Sequence, residues 1–285
     1  IAFIAKQPRL YGPRECVTEE IISLIGRQLP LKVAKSKLVR LPTPRGTGPD
    51  VRFMSRSFLA RGQTSLKHGI ELVADYLGAS SQEMYDTFNL GQRTHERGFY
   101  TLEMILDVLK SLGRSDEERL GLQESFGRMI AFDALIGAPD RHAQNWGVVE
   151  NVSDPRAPRR FAPHFDTSRG LFVDHSDDRI LTAERNLTKM ELVERYARRS
   201  KPIFGCGGPA TVNHFDLIEH AVSKLRPALR GPISQVILAF DPRDTATLLE
   251  RRVGRIISPL RMSYILNLLN LRHQTLVQIL QKTRA

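Results

Sequence analysis

The stretch from Ala138 to Phe172 constrains the fold more than any other part of the sequence. It carries an aspartate, an asparagine and a second aspartate, in the order Asp140, Asn145 and Asp166. Asp140 and Asn145 lie in a polar segment that directly follows a long apolar helical pattern. Two short apolar runs, separated by a polar turn that contains proline, come next, and Asp166 follows the second run. The pattern predicts a helix, a loop, a β-hairpin and an aspartate, so that the hairpin returns Asp166 towards Asn145.

These three side chains suit one kind of chemistry. Carboxylate and amide oxygens are the ligands that Mg²⁺ prefers, and phosphoryl transfer depends mainly on positioning and charge neutralisation. We therefore expect Asn145 and Asp166 to hold Mg²⁺ against the phosphates of ATP, and Asp140 to orient or deprotonate an attacking hydroxyl. Taken singly, each residue is more often an ordinary turn or strand-end residue. Their order around a hairpin is what favours a kinase-type site.

The same stretch resembles a known family. The segment FDALIGAPDRHAQNWGVV, followed by FAPHFDTSRGLF, is similar to the HipA-like family of serine/threonine kinases. That family has a D-x-H-x-x-N loop after a helix ending in L-I-G, and its metal-binding aspartate lies in a P-x-x-D segment in place of D-F-G. Pro163 to Asp166 fits this form, whereas Thr167 and Ser168 depart from D-F-G. The D-R-H-x-x-N loop also resembles phosphoinositide kinases, so the loop alone leaves the substrate open.

The resemblance implies an α+β, two-lobed protein-kinase-like fold. Residues 1–59 would form part of a small β-containing N-lobe and the hinge strand, and residues 60–285 a mainly α-helical C-lobe. No Gly-rich hairpin precedes the first strand, so we expect the N-lobe to be incomplete. The resemblance also implies ATP and Mg²⁺ as cofactors, a protein substrate such as an aminoacyl-tRNA synthetase or another translation factor, and a DNA-binding antitoxin as partner.

The first apolar run, Ile1 to Ala5, predicts a strand that ends at Lys6. The motif FIAKQP resembles the lysine-bearing strand of HipA-like proteins. In kinases such a lysine reaches the ATP phosphates and pairs with a glutamate from a helix. Without the resemblance, a lysine at a strand end is usually a solvated surface residue.

A helix is predicted from Thr18 to Leu29, with Thr18 as its N-cap. Two consecutive glutamates stand in its first turn, where the positive end of the helix dipole favours them. We choose Glu20 as the partner of Lys6 and keep Glu19 as the alternative.

A second β run, Val51 to Leu59, would be the hinge strand, with the backbone of Phe53, Met54 and Ser55 receiving adenine. That role comes from the resemblance, whereas the residues themselves predict only a strand. His142 is grouped with the cofactor-binding residues, and we expect it to brace the loop by hydrogen bonding to backbone or to Asp166. The alternative, a transition-metal site, lacks the additional His or Cys ligands that such sites usually need.

The helical period begins near His68, and the apolar patterns Ile70–Leu77, Leu102–Leu112 and Leu122–Ile136 predict helices. The last of these has a broad apolar stripe and should be a central core helix that leads to Asp140.

Composition leaves two rival functions open. The formal charge of +11 favours anionic partners, including nucleotides, nucleic acid and acidic membrane surfaces, although many basic proteins bind none of these. Two cysteines imply no disulfide framework, and no long apolar run predicts a membrane span, so we expect a cytoplasmic protein. The rivals are a phosphoinositide-type lipid kinase and a non-catalytic module that binds nucleotide or nucleic acid.

Overall fold

An antiparallel sheet of three strands forms the N-terminal part of the computed structural model, which describes residues 2–6, 10–41, 50–90, 100–207, 212–225 and 227–283. The strands are β1 (Phe3–Lys6), β2 (Ser36–Leu41) and β3 (Asp50–Arg56), in the order β1-β3-β2. Because β3 is central, its backbone pairs with β1 on one side and β2 on the other. The strand predicted to end at Lys6 is therefore confirmed within the described residues. The strand predicted over Val51 to Leu59 is also present, but it ends at Arg56.

Helix α1 (Pro13–Gly26) packs against this sheet. It begins earlier than predicted, because Pro13 provides the fixed φ that suits the first helical turn. Thr18 is a buried interior residue and not the N-cap, so that prediction is wrong. The predicted apolar side is buried, with Ile21 and Ile25 almost completely hidden.

A second small antiparallel sheet carries the predicted hairpin. Its strands are β4 (Thr64–His68), β5 (Gly147–Asn151) and β6 (Arg160–Phe161), in the order β4-β5-β6. Strand β5 follows the polar loop of Asp140 and Asn145, and β6 leads to Asp166. The hairpin predicted between these residues is thus confirmed.

The remaining chain is mainly helical, so the predicted α+β class is confirmed. The central helix, α5 (Asp116–Ile136), continues from the Ser115 N-cap to a left-handed Gly137, whose φ is 67°. It ends directly before the loop of Asp140. The helices are α2 (Gly69–Leu77), α3 (Ser81–Leu90), α4 (Leu102–Leu112), α5 (Asp116–Ile136), α6 (Asp177–Ala183), α7 (Lys189–Arg199), α8 (His214–His220), α9 (Pro227–Ala239), α10 (Pro242–Val253) and α11 (Pro259–Lys282).

A buried arginine from α11 holds the C-terminal end of α5. Arg272 is 0% exposed, and its Nε and Nη1 donate to the carbonyl oxygens of Ala134 and Ala197, at 2.6 and 2.9 Å. A cation is favoured at the negative C-terminal end of a helix, and this one serves α5 and α7 together. The positive φ favours glycine at position 137, and an added Cβ would also lie in tight contact with the guanidinium, at 3.2 Å. The end of α5 is therefore fixed just before the functional loop.

The division into lobes at residue 59 stays a prediction. Across the helices that the structure describes, none combines the length and the apolar character that crossing a bilayer requires.

Candidate active site

Lys6, at the end of β1, connects α1 to the segment after the hairpin. Its Nζ lies 2.8 and 3.0 Å from the two carboxylate oxygens of Glu19, and it also donates to Oδ1 of Asp166. Glu19 is 3% exposed, whereas the Asp166 side chain is 46% exposed. The lysine thus joins a buried carboxylate to one that faces the cleft.

The partner of Lys6 is Glu19, so the choice of Glu20 is wrong and the alternative is correct. Glu20 accepts hydrogen bonds from Arg27 Nη2 at 3.0 Å and from Ser36 Oγ at 2.7 Å. Consecutive helix residues point about 100° apart, so both glutamates cannot face one lysine. The sequence supplied two candidates, and the rotation of α1 decides between them.

The charges around Lys6 stabilise one another. Burial raises the pKa of Glu19 to about 7, although Lys6 and the backbone N–H of Thr167 act in the opposite direction. Burial lowers the pKa of Lys6, but the carboxylates of Glu19 and Asp166 outweigh that effect, and its pKa is raised. Lys6 is therefore a firmly protonated ammonium group, suited to anionic phosphate.

The loop after α5 presents Asp140 and Asn145 together. The side-chain amide of Asn145 donates to the backbone oxygen of Asp140 at 2.8 Å, and the Asn145 N–H donates to the His142 carbonyl at 2.9 Å. The first of these bonds engages the side-chain amide nitrogen of Asn145 within the loop. The side-chain amide oxygen is then the atom that could coordinate a cation. The Asp140 side chain is 31% exposed and carries an ion pair from Arg169 Nε to its Oδ2, at 3.1 Å.

Arg141 brings the two halves of the site together from beneath. Its Nη1 donates to the carbonyl oxygens of Asn145 and Phe165, at 2.6 and 3.0 Å. Since one nitrogen atom binds both carbonyls, the backbone before Asp166 lies directly beside Asn145. This contact is the geometry that the hairpin pattern predicted.

Arg141 is itself held by Asp133 of α5. Its Nε and Nη2 bind the two oxygens of Asp133 at 2.8 and 2.9 Å, and both side chains are buried. Burial raises the pKa of the Asp133 carboxyl, but Arg141 and His164 outweigh it and hold that pKa well below its usual range. Asp133 therefore stays ionised beneath the loop.

His164 belongs to this buried cluster and not to a metal site. Its Nε2 lies 3.0 Å from Asp133 Oδ1 and its Nδ1 lies 3.1 Å from Thr167 Oγ1. Burial, and then the charge of Arg141, lower the pKa of His164 to about 4, so the imidazole is neutral. In the portion of the chain that is described, no group of three or more His, Cys, Asp or Glu residues could hold a metal ion.

His142 braces the loop through the backbone, as expected. Its Nδ1 accepts a hydrogen bond from the Gln144 N–H at 3.3 Å. Burial lowers the pKa of His142, while the charges of Asp140 and Asp166 act to raise it. Both carboxylates therefore lie within electrostatic range of one imidazole.

The backbone at Asp166 adopts a conformation that is uncommon for residues other than glycine. Its φ is 53°, and Leu171 and Phe172 also have positive φ, at 48° and 63°. Such conformations persist only where the surroundings impose them, and they cluster at functional sites. Here Lys6 binds the Asp166 carboxylate, while Arg141 fixes the preceding carbonyl.

A cavity of about 260 Å³ opens between the first sheet and the hairpin. Lys6, Glu19 and Asp166 line its polar end, which is suited to phosphates. The rest of its wall is largely apolar, and the rings of Phe58 and Phe165 lie 5.7 Å apart. The cavity thus combines a flat apolar region with a charged end, as a nucleotide requires.

The predicted adenine contacts of Phe53, Met54 and Ser55 stay predictions. Phe53 and Ser55 line the cavity, but Met54 does not. All three residues pair with β1 and β2, so their backbone lies within the sheet. The chain leaves the sheet after Arg56, and Ser57, Phe58 and Leu59 of the connecting segment also line the cavity.

A larger cavity of about 760 Å³ lies beside the N-terminal half of α5, against Lys32, Glu118 and Arg159. None of Asp140, Asn145 and Asp166 lines it. Of these three residues only Asp166 lines the smaller cavity, while Asp140 and Asn145 lie in the adjoining loop outside its lining. We therefore place the candidate active site at the Asp166 end of the smaller cavity.

Asn145 and Asp166 form a chemically suitable pair for magnesium. An amide oxygen and a carboxylate are hard donors, and Mg²⁺ typically takes one or two protein ligands beside phosphate and water. The roles of these residues in metal binding stay predictions.

The sequence reasoning missed Asp133, Arg141, Thr167 and Arg169. Arg141 stands inside the recognised loop, so its position was visible although its burial was not. Asp133 lies eight residues before Arg141 in an apolar helix, and a charge at such a position signals a buried partner. No sequence signal pointed to the contact between Arg169 and Asp140.

Comparison with known proteins gives a matching family model and similar folds. The model of the HipA-like C-terminal domain matches residues 2–242. The fold is similar to that of the Helicobacter pylori proinflammatory kinase CtkA, with a TM-score of 0.75, 16% identity, and coverage of 99% of this chain and 90% of that one. It is also similar to HipA of a Shewanella oneidensis MR-1 toxin–antitoxin system, solved with HipB and operator DNA, with a TM-score of 0.57 and 13% identity.

The second similarity covers 99% of this chain but 60% of the HipA chain. No curated protein sequence matches the chain. At these identities the two structures establish the fold, and the family model establishes the relationship.

Proposed function

The chain belongs to the family of HipA-like C-terminal domains, and from this premise we propose that it is an ATP-dependent kinase that phosphorylates serine or threonine of a protein. The observation that carries the proposal is the double contact of Lys6 with Glu19 and Asp166, beside a loop that presents Asp140. A cation between an anchored glutamate and an exposed aspartate is the arrangement that positions nucleotide phosphates.

The proposed reaction assigns one task to each side chain. Lys6 binds the α- and β-phosphates, and Glu19 keeps its ammonium group in place. Asp140 accepts the proton of the attacking hydroxyl as that oxygen bonds to the γ-phosphorus and ADP leaves. Asn145 and Asp166 would hold Mg²⁺, which neutralises phosphate charge when it is bound.

The test is transfer of label from ATP labelled at the γ-phosphate to the protein itself and to casein. We expect Asp140→Asn and Asp166→Asn to lower kcat by about 10²-fold or more, since proton transfer and charge neutralisation each contribute on that scale. Asp116→Asn is the matched control, because Asp116 is 98% exposed and lies on α5 far along the helix from the loop. Turnover equal to wild type in both site variants would reject the assignment.

The substrate class and partners are a finer proposal. The HipA neighbour was solved with HipB and operator DNA, and the family resemblance points to translation factors such as an aminoacyl-tRNA synthetase as substrates. We propose the same kind of toxin role here, with a DNA-binding antitoxin and a cytoplasmic location. Growth arrest on expression of wild type but not of Asp140→Asn, relieved by a co-expressed neighbouring gene product, would support it.

The D-R-H-x-x-N loop keeps a lipid kinase as the second candidate. Label appearing in phosphoinositide vesicles and not in protein would favour that function. Magnesium-dependent ATP binding without any transfer would instead favour a non-catalytic module.

A further inference from the structure

An arginine holds one of the two carboxylate oxygens of Asp140. Arg169 Nε lies 3.1 Å from Asp140 Oδ2, and the two side chains are 42% and 31% exposed. A general base must come within hydrogen-bonding distance of the proton that it takes. An acceptor hydroxyl that approaches Oδ2 must therefore displace Arg169.

The backbone that carries Arg169 is fixed on both sides. Asp166 has its strained φ of 53° on one side, and on the other Leu171 and Phe172 are completely buried with positive φ. Gly170 packs against the end of α5, where an added Cβ would lie 3.1 Å from the Ile136 carbonyl oxygen. The exposed guanidinium can thus change partner while its Cα stays in place.

The guanidinium of Arg169 has N–H donors that its contact with Asp140 does not use. An arginine has five N–H donors in a planar fork, and the contact with Asp140 is made through Nε. Its terminal nitrogens make no hydrogen bond to any residue within the described ranges. A planar fork of this kind matches phosphate oxygens.

Arg169 lies three residues after Asp166, the proposed metal ligand, and its guanidinium reaches the carboxylate of Asp140. Arg141 is buried beneath the loop, whereas Arg169 is an exposed cation on the Asp140 side of the cleft. Lys6 stands on the other side, at Asp166.

We propose that Arg169 is a further catalytic residue, which the acceptor hydroxyl displaces from Asp140 and which then donates hydrogen bonds to the γ-phosphoryl group during transfer. This inference rests on the proposed function. The acceptor oxygen bonds to the γ-phosphorus as the bond to the bridging oxygen of ADP breaks, and Asp140 takes the hydroxyl proton. Arg169 neutralises the charge on the phosphoryl oxygens in the transition state and transfers no atom.

The first experiment measures steady-state transfer to casein by wild type, Arg169→Gln, Arg169→Lys and Arg251→Gln. Removing a donor to transition-state charge costs about 10²–10³-fold in kcat, so we expect that loss in Arg169→Gln with a KM for ATP that changes little. Arg169→Lys keeps the positive charge but not the planar guanidinium, so its kcat should lie between those of wild type and Arg169→Gln. Arg251 is exposed on α10 and does not line the cavity, so Arg251→Gln is the control that removes the same charge away from the site.

The second experiment separates phosphoryl contact from mere support of Asp140. Binding of Mg·ADP, with and without aluminium fluoride as a mimic of the transferred group, is measured by calorimetry in an Asp140→Asn background. We expect aluminium fluoride to tighten binding in that background, and Arg169→Gln to abolish the gain while leaving ADP affinity unchanged. Loss of the gain cannot arise through Asp140, because Asp140 is already replaced.

Three results would overturn the inference. Wild-type kcat in Arg169→Gln would show that the arginine is dispensable, and a higher kcat would show that it only blocks Asp140. An undiminished gain from aluminium fluoride would show that it does not contact the phosphoryl group. Absence of any label transfer by wild type would instead reject the proposed function itself, and this inference with it.

Discussion

Asp133 and Arg141 meet at two points beneath the candidate site, with nitrogen–oxygen distances of 2.8 and 2.9 Å and both side chains 2–3% exposed. The same guanidinium holds the carbonyls of Asn145 and Phe165. Helix α5 therefore positions both functional segments through one side chain.

We predict that Asp133→Asn destabilises the protein by about 3–5 kcal/mol, because it leaves a buried arginine without its charge partner. The free energy of unfolding in urea measures the effect. Asp116→Asn, in the exposed pair with Arg119, is the control and should change little. Equal stability of the two variants would contradict a structural role for the buried pair.

The two neighbouring glutamates of α1 should behave differently on substitution. Glu19→Gln weakens a charge-assisted contact with Lys6 worth about 1.5–3 kcal/mol, so we expect kcat/KM for ATP to fall by about 10–100-fold. Glu20→Gln alters only the contacts with Arg27 and Ser36, outside the cleft, and should keep kcat/KM near wild type. Steady-state kinetics at saturating Mg²⁺ checks both, and the reverse order would restore the original choice of Glu20.

Magnesium dependence should identify the proposed metal ligands. Asn145→Ala and Asp166→Asn each remove or weaken one hard donor, so the Mg²⁺ concentration for half-maximal ATP binding should rise by about tenfold or more, equivalent to ~1.4 kcal/mol. Asn267→Ala on α11, whose amide donates to the Ser263 carbonyl, is the matched control. An unchanged Mg²⁺ requirement in both site variants would remove them from the metal site.

Acid should destabilise the protein through His214. Burial lowers its pKa to about 3, with Arg272 acting in the same direction and Asp133 against it. The unfolded state binds a proton near pH 6.5 and the folded state does not, so this contribution is complete above that pH and is lost on acidification towards pH 3. The slope approaches ~1.4 kcal/mol per pH unit.

Glu19 has the opposite effect, because burial raises its pKa to about 7 and the folded state then gains a proton before the unfolded state does. The measurement is therefore a difference. Urea unfolding of wild type and of His214→Leu, between pH 7 and pH 5, should show wild type losing stability relative to the variant as the pH falls. Parallel curves would indicate that His214 titrates normally in the folded protein.

Local patterns in the sequence were enough to predict the hairpin, the core helix and the order of Asp140, Asn145 and Asp166. These patterns could not choose between Glu19 and Glu20, because that choice depends on which face of α1 points towards Lys6. The helix begins at Pro13 and not at Thr18, as was predicted, so the face could not be assigned from the sequence. Met54 does not line the cavity that Phe53 and Ser55 line, because successive residues of a strand point to opposite faces of the sheet. The contact between Arg169 and Asp140 could be identified only from the tertiary structure, because no hydrophobic or polar periodicity in the sequence indicates it.

The segment that follows α1 is joined to the segment between β6 and Asp166 by backbone hydrogen bonds. The His164 N–H donates to the Lys32 carbonyl at 2.7 Å, and the Ala34 N–H donates to the His164 carbonyl at 3.0 Å. Many kinases are switched off when the glutamate-bearing helix swings outward and separates from the lysine. Here such a movement of α1 would break the backbone hydrogen bonds to the segment that carries Asp166. Control of the proposed kinase is therefore expected to act on entry to the cleft or on the abundance of the protein, and not on the orientation of that helix.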